Sequence, residues 1–240
     1  MTAKSQPLIG ASAMALAVAF NAPYAVLAAT FDYPAILRRP APEVLSAFAE
    51  GGAPLILTWY AFGASALALA PLAMALSITP ERLSRAPGLA IGAAVAGALA
   101  GVTQAIGLFR WVFAVPGFAR TAADPASGPV EIAATAQAFE TLNQFGGVVI
   151  GEHIGQLLTA LFVLMMAHLQ FGERRIAAGL LGLGAAAMVA AGTGEGVALA
   201  IGASGDLFSL ATIVGYLLFS AWLFLTGAGL LAARNKGRAA

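Results

Sequence analysis

The chain has 240 residues, of which 60% are apolar and only 10% are charged. A soluble domain carries about 25% charged residues, so a soluble protein of this composition would lack the polar groups to cover its surface. The net charge of +1 gives no basic excess, which argues against a nucleic-acid partner. Cysteine is absent, which excludes disulfides, thiolate metal sites and cysteine nucleophiles. The composition therefore predicts an integral membrane protein.

Six apolar stretches are long enough to cross a bilayer as helices, which requires roughly 20 residues each. They predict an all-α fold, a polytopic bundle of six transmembrane helices that forms a single domain over residues 1–240. The first stretch has an alternative interpretation as a signal peptide with Lys4 at its charged end, but it is longer than the usual run of about 7–15 residues. The predicted spans lie at about residues 8–30, 53–78, 88–117, 142–169, 176–199 and 207–232.

Two predicted connections on the outer side are long and contain short helical segments. The first covers residues 30–50 and contains a helix that begins at Pro42, since proline favours a helix start and two glycines follow the end. The second covers residues 119–140, where turn residues precede a helix that begins at Pro129. We expect this second helix to continue into the fourth span.

Lysine and arginine are distributed unevenly between the two sides of the predicted bundle. Eight lie on the side of the chain termini and three on the opposite side. Because cytoplasmic flanks carry an excess of Lys and Arg, both termini are predicted to be cytoplasmic. The eight are Lys4, Arg82, Arg85, Arg174, Arg175, Arg234, Lys236 and Arg238, and the three are Arg38, Arg39 and Arg120.

The fourth predicted span carries Gly147, Gly151 and Gly155 at intervals of four residues, which puts them on one helix face. Small residues along one face let two helix backbones approach closely. Two interpretations stay open from the sequence. The glycines either pack against another helix of the same chain, or they form the seam of a homodimer or of a contact with another membrane partner.

Ionisable residues interrupt the predicted spans at Arg110, Glu152, His153 and Glu195. Such residues are costly inside a bilayer, face the bundle interior and usually mark function. Arg110 lies roughly 9 Å below the outer end of the third span, and Glu152 lies at about the same depth in the fourth. Opposite charges at matched depth on consecutive spans predict an Arg110–Glu152 ion pair.

Further polar residues extend this constellation. Gln156 follows Glu152 by four residues and therefore shares its helix face. The sequence predicts a ligand-binding pocket that opens toward the outer side. The alternative is that the Arg110–Glu152 pair only fixes helix registry. The predicted pocket residues are Arg110, Glu152, His153, Gln156, Gln104, Glu195 and Asn21.

No metal ion or cofactor is expected. His153 and His168 lie about 22 Å apart along one helix, so they cannot share one haem iron. The sequence motifs of phosphate-binding loops, zinc proteases and serine hydrolases are absent as well.

Three sequence stretches carry a resemblance to a known family. They are Phe31-Asp32-Tyr33-Pro34-Ala35-Ile36-Leu37, Gly107-Leu108-Phe109-Arg110-Trp111 and Gly151-Glu152-His153-Ile154-Gly155-Gln156. With these stretches the chain resembles, over nearly its whole length, a family of bacterial six-span membrane proteins catalogued only as a domain of unknown function. The resemblance implies a multi-pass protein of the bacterial cytoplasmic membrane, and it implies no activity.

The pocket favours a protein that lies in the lipid bilayer and binds a small molecule, ion or proton, as a sensor or in a transporter-like role. One alternative is a structural or regulatory subunit of a membrane complex with no ligand of its own. A second is a membrane enzyme that uses Glu152 or His153 as a general acid or base. No nucleophile or metal set accompanies these two residues, so the sequence favours a non-enzymatic role.

Overall fold

A computed structural model describes the backbone of residues 6–238 and the side chains of residues 6–232. Over this part of the chain every regular element is helical, and six helical spans are long and apolar enough to cross a membrane. The prediction of an all-α bundle with six spans is confirmed. Lys4 lies outside the described residues, as do the side chains of Arg234, Lys236 and Arg238.

The first two spans are joined by a short helical segment. Helix α1 (Gln6–Thr30) is followed by a 3-10 helix (Ala35–Arg38) and by α2 (Ala41–Ser77). The helix predicted to begin at Pro42 is the first part of α2, and it ends where Gly52 adopts φ 54° and ψ −148°. Because only glycine adopts this backbone conformation readily, Gly52 introduces a kink before α2 continues through the bundle.

The third span changes direction near its end. After the short α3 (Pro80–Arg85), helix α4 (Pro87–Phe113) is followed by α5 (Val115–Ala123). Pro116, in the first turn of α5, has no N–H to donate and therefore favours a helix start at this point. The predicted third span thus consists of two helices that meet at Ala114.

The fourth span is one continuous helical run whose middle part is π-helical. Helix α6 (Pro129–Leu142) leads into a π-helical segment (Asn143–Ile154) and then into α7 (Gly155–Gly172). The helix predicted from Pro129 therefore does run into the span. Segments with π-helical hydrogen bonding are rare and often lie at functional sites.

The last two spans complete the bundle. Helix α8 (Ile176–Gly192) is followed by α9 (Gly194–Ala200), and α10 (Asp206–Arg238) returns to the end of the bundle that carries the termini. We call this the termini end and the opposite end the distal end. Each of α1, α2, α4, α7, α8 and α10 packs against the next in this order, and α10 closes the ring against α1.

The ring has a packed core in its termini half and a cavity in its distal half. The termini half is filled by large apolar side chains such as Phe162, Met166 and Trp222, each fully buried. A second cluster, which includes Phe31, Trp59 and Trp111, closes the distal end between α1, α2 and α4. Exposed Leu, Ile, Val and Phe side chains cover the outside of the bundle, as expected of a surface that faces lipid.

Candidate ligand-binding cavity

A cavity of about 460 Å³ opens in the distal half of the bundle. Its volume falls within the range of about 300–1,000 Å³ that is usual for small-molecule sites. All six spans and the 3-10 segment contribute to its wall. Six of the seven predicted pocket residues line it, namely Arg110, Glu152, Gln156, Gln104, Glu195 and Asn21.

His153 does not line this cavity. Its Nδ1 atom lies 3.1 Å from the carbonyl oxygen of Thr193, at the junction of α8 and α9. The sequence prediction grouped His153 with Glu152 because both lie within one turn of Gln156 in an α-helix. A π-helical turn contains more residues than an α-helical turn, so positions 153 and 156 lie farther apart around the helix axis than in an α-helix. The inclusion of His153 in the pocket was therefore wrong.

The predicted ion pair between Arg110 and Glu152 is also wrong, because Glu152 has another partner. Arg38 donates from Nη2 to Glu152 Oε2 at 2.7 Å and from Nε to Glu195 Oε1 at 3.0 Å. Arg38 lies on the 3-10 helix, and its side chain connects the fourth span to the fifth through Glu152 and Glu195. From the sequence, Arg38 contributed only to the predicted topology. We call these three side chains the Arg38 triad.

The Arg38 triad is partly exposed, with side-chain exposures of 29% for Arg38, 27% for Glu152 and 15% for Glu195. Burial by itself lowers the pKa of Arg38, but the adjacent carboxylates of Glu152 and Glu195 outweigh burial and raise it. Arg38 is therefore a permanent cation at any physiological pH. Because solvent screens partly exposed ion pairs, each contact contributes about 1 kcal/mol or less. The triad is a weak and reversible connection.

The reversibility of the triad gives a first prediction. Arg38→Met should widen the access to the cavity, because the ion pairs that hold this side of the 3-10 segment against Glu152 and Glu195 are then lost. The chain has no cysteine, so a cavity residue such as Ser209 can be replaced by a single cysteine and labelled with a membrane-impermeant maleimide. We expect Ser209→Cys to react up to about fivefold faster when combined with Arg38→Met.

The control is the neighbouring arginine. Arg39 pairs with Asp32 on the surface and does not line the cavity. Ser209→Cys combined with Arg39→Met should therefore react at the rate of Ser209→Cys alone. Equal rates for both arginine variants would contradict a closing role for Arg38.

Arg110 is buried at 8% exposure and has no acidic partner. All eleven aspartate and glutamate residues of the chain lie in the described part, and none has an oxygen within 4.0 Å of this guanidinium. Arg110 instead donates from Nη1 to the carbonyl oxygen of Gly107 and from Nη2 to Asn143 Oδ1 at 2.8 Å. Its Nε has no hydrogen-bond partner, and its guanidinium carbon lies 5.1 Å from the centre of the Trp111 ring.

The predicted glycine stripe explains how Arg110 and Gln104 fit beside the fourth span. A Cβ on Gly147 would lie 2.5 Å from Nη2 of Arg110, and one on Gly155 would lie 2.8 Å from Cγ of Gln104. A Cβ on Gly151 would lie 3.0 Å from the Cα of Gly107. The three glycines therefore pack against α4 of the same chain, which agrees with the first of the two interpretations of the stripe.

A hydrogen-bonded network forms the wall of the cavity nearest the packed core. Gln104 donates to Thr159 at 2.9 Å and accepts from the hydroxyl of Tyr216 at 3.0 Å. Asn21 donates to Ser220 Oγ at 2.8 Å. These contacts join the first, third, fourth and sixth spans, and they leave polar atoms facing the cavity.

Aromatic side chains form the opposite wall. Tyr33 packs edge-on against Trp59 with ring centres 5.3 Å apart, and Trp59 stacks on Trp111 at 4.9 Å. Burial raises the pKa of Tyr33, so its phenol stays protonated. The indole Nε1 atoms of Trp59 and Trp111 are buried without hydrogen-bond partners.

The sequence prediction missed Arg38, Tyr33 and the two stacked tryptophans. One signal for Arg38 was available, since it follows Ile36 and Leu37, a hydrophobic pair in a loop that the structure buries. A hydrophobic pair next to an arginine indicates a loop that packs onto the bundle. No comparable signal identified Trp59 or Trp111, because tryptophan is common near the ends of spans.

The described residues contain no cluster of three His, Asp or Glu side chains that could hold a metal ion. Among protein families, a sequence profile described as "Domain of unknown function (DUF4386)" matches residues 8–227. No curated protein and no solved structure matches the chain.

Proposed function

The chain belongs to the DUF4386 family, and we propose that it binds a small molecule in the distal cavity, as a membrane sensor or in a transporter-like role. One observation carries this proposal. Charged and polar side chains from five of the six spans, with Trp59 and Phe62 of the second span, surround about 460 Å³ of space that their contacts with one another leave open. A bundle that needed polar residues only for helix registry would bring them into direct contact and leave no room between them.

The Arg38 triad favours sensing over a purely structural role. It connects the segment between the first two spans to Glu152 and Glu195, and all three side chains line the cavity. A ligand that competes for either carboxylate would release this segment, because the ion pairs are partly exposed and weak. Ligand occupancy would thereby change a surface at the distal end of the protein.

We propose that the distal end faces outward and that both termini are cytoplasmic, in the cytoplasmic membrane of a bacterium. The support is the excess of Lys and Arg at the termini end. The impermeant maleimide also tests this orientation, since Ser209→Cys should be labelled in intact cells. Labelling that requires cell lysis would reverse the orientation.

The binding proposal predicts that filling the cavity expels its occupant. Ile213 lines the cavity from α10, whereas Leu210 on the same helix is 56% exposed and does not line it. Native mass spectrometry of the purified protein should detect a bound small molecule on the wild type and on Leu210→Trp. The added indole of Ile213→Trp should abolish this adduct.

The absence of such an adduct would contradict the binding proposal. If wild-type protein, extracted gently and measured at several detergent concentrations, carries no adduct that Ile213→Trp removes, the cavity does not retain a ligand. The chain would then be better explained as a structural or regulatory subunit.

A further inference from the structure

Among the residues that the structure describes, Arg110 is the one strongly buried cation on the cavity wall, and none of their carboxylates forms an ion pair with it. The two carboxylates that share the cavity interior, Glu152 and Glu195, are held by Arg38. Asp206 lines the cavity but is exposed and accepts a hydrogen bond from the hydroxyl of Ser204. A buried charge without a counter-ion is unfavourable, so a native structure that keeps one calls for an explanation.

Arg110 lines the cavity, and the described residues accept from only part of its N–H groups. The carbonyl oxygen of Gly107 and the side-chain oxygen of Asn143 each accept one hydrogen bond, and Nε is left without a partner. Both acceptors are uncharged, so they fix the direction of the side chain without neutralising it. Glu152 acts on Arg110 only through its field, because its carboxylate is paired directly with Arg38. The planar fork of arginine matches the two oxygens of a carboxylate.

The surroundings of Arg110 suit an apolar group attached to that carboxylate. Trp111 lies against the guanidinium, Trp59 stacks on Trp111, and Tyr33 packs against Trp59. Phe20 and Phe62 line the same cavity. Aromatic walls of this kind bind apolar and aromatic bodies, and the few polar groups determine their orientation.

We propose that the cavity binds an amphipathic organic anion, whose carboxylate pairs with Arg110 and whose apolar body packs against Tyr33, Trp59 and Phe62. This inference rests on the proposed binding function and specifies the chemical class of the ligand. It assigns the carboxylate of the ligand to Arg110, which has no direct acidic partner, and not to Arg38, which already pairs with Glu152 and Glu195.

Three probes of the same shape test this assignment. They are 3-phenylpropionate, 3-phenylpropanol and 3-phenylpropylamine, which share a phenyl ring and a three-carbon chain and carry an anionic, a neutral and a cationic head group. Titration calorimetry on the purified full-length protein gives a Kd for each, and a Trp222→Phe background leaves Trp59 and Trp111, both at the cavity, as the tryptophans whose emission reports binding there. We expect the wild type to bind the carboxylate about tenfold to a hundredfold more tightly than the alcohol.

Two arginine variants test whether Arg110 causes the preference for the carboxylate over the alcohol. Arg110→Met should bind the carboxylate no more tightly than the alcohol, while its affinity for the alcohol stays at the wild-type value. Arg120→Met is the matched control, because Arg120 lies on α5 outside the cavity lining, and it should keep the full preference. If Arg110→Met does not fold, the comparison of the three probes on wild-type protein still decides the proposal.

The outcomes separate this inference from the proposed function. Equal binding of the carboxylate and the alcohol, or tighter binding of the amine, overturns the anion assignment and leaves the binding function in place. Retention of the preference in Arg110→Met also overturns the assignment. Failure of all three probes to bind wild-type protein overturns the inference, and the adduct experiment with Ile213→Trp then decides the proposed function separately.

Discussion

Gly107→Ala is expected to destabilise the protein strongly, although it adds only one methyl group. A Cβ at this position would lie 2.7 Å from the Cα of Gly151 and 3.2 Å from the carbonyl oxygen of Gly146. Both atoms belong to the backbone of the π-helical segment, so no side chain can turn away to make room. Overpacking of this kind costs about 3 kcal/mol, which lowers the Tm in detergent by roughly 6–12 °C for a chain of this size.

Gly88→Ala is the matched control for this change. Gly88 lies near the start of the same helix, α4, and a Cβ there would meet no atom within 4 Å. Because alanine is a better helix former than glycine, this variant should keep or slightly raise the Tm, by up to about 1 kcal/mol in stability. The two identical substitutions should therefore have opposite signs. A Gly107→Ala protein that melts at the wild-type temperature would show that α4 and the π-helical segment do not approach this closely.

Arg82→Met is expected to have the second large effect, at the termini end of the bundle. Arg82 donates from Nε to Glu173 Oε1 at 2.5 Å and from Nη2 to Glu173 Oε2 at 3.0 Å, and it also donates to the carbonyl oxygen of Leu76. These bonds join α3 to the end of α2 and to the connection after α7. The side chain of Arg82 is only 8% exposed, so its loss leaves the carboxylate of Glu173 without a partner.

The expected cost of Arg82→Met is about 2–4 kcal/mol, somewhat below that of a fully buried pair because Glu173 is 23% exposed. Thermal melting in detergent measures this cost. Arg85→Met should cost less than about 0.5 kcal/mol, since Arg85 pairs with Glu81 in an exposed position.

A double variant separates the charge from the packing at this site. Arg82→Met combined with Glu173→Leu should recover part of the lost stability, because neither charge is then left alone. A double variant no more stable than Arg82→Met alone would mean that the hydrogen bond to Leu76, and not the ion pair, carries the stability.

The sequence determined the spans and the polar composition of the cavity. Six apolar runs of membrane length predict six helices, because a single segment that crosses the bilayer core satisfies its backbone hydrogen bonds within a helix. The position of Gln104, Gln156 and Asn21 inside those runs already indicated that they face one another, since lipid excludes polar groups. The stripe of Gly147, Gly151 and Gly155 likewise indicated a close helix contact, and its partner is α4.

Only the tertiary structure decided which charges pair. The predicted Arg110–Glu152 pair required that both spans are straight α-helices and that no loop residue reaches the same depth. The π-helical segment changes the direction of His153, and the 3-10 segment brings Arg38 to Glu152 and Glu195. Periodicity describes a residue's position along its own helix, whereas an ion pair depends on where a second segment lies in space. For this reason the sequence identified several polar members of the cavity, and the fold added Arg38, paired it with the carboxylates and left Arg110 without a direct partner.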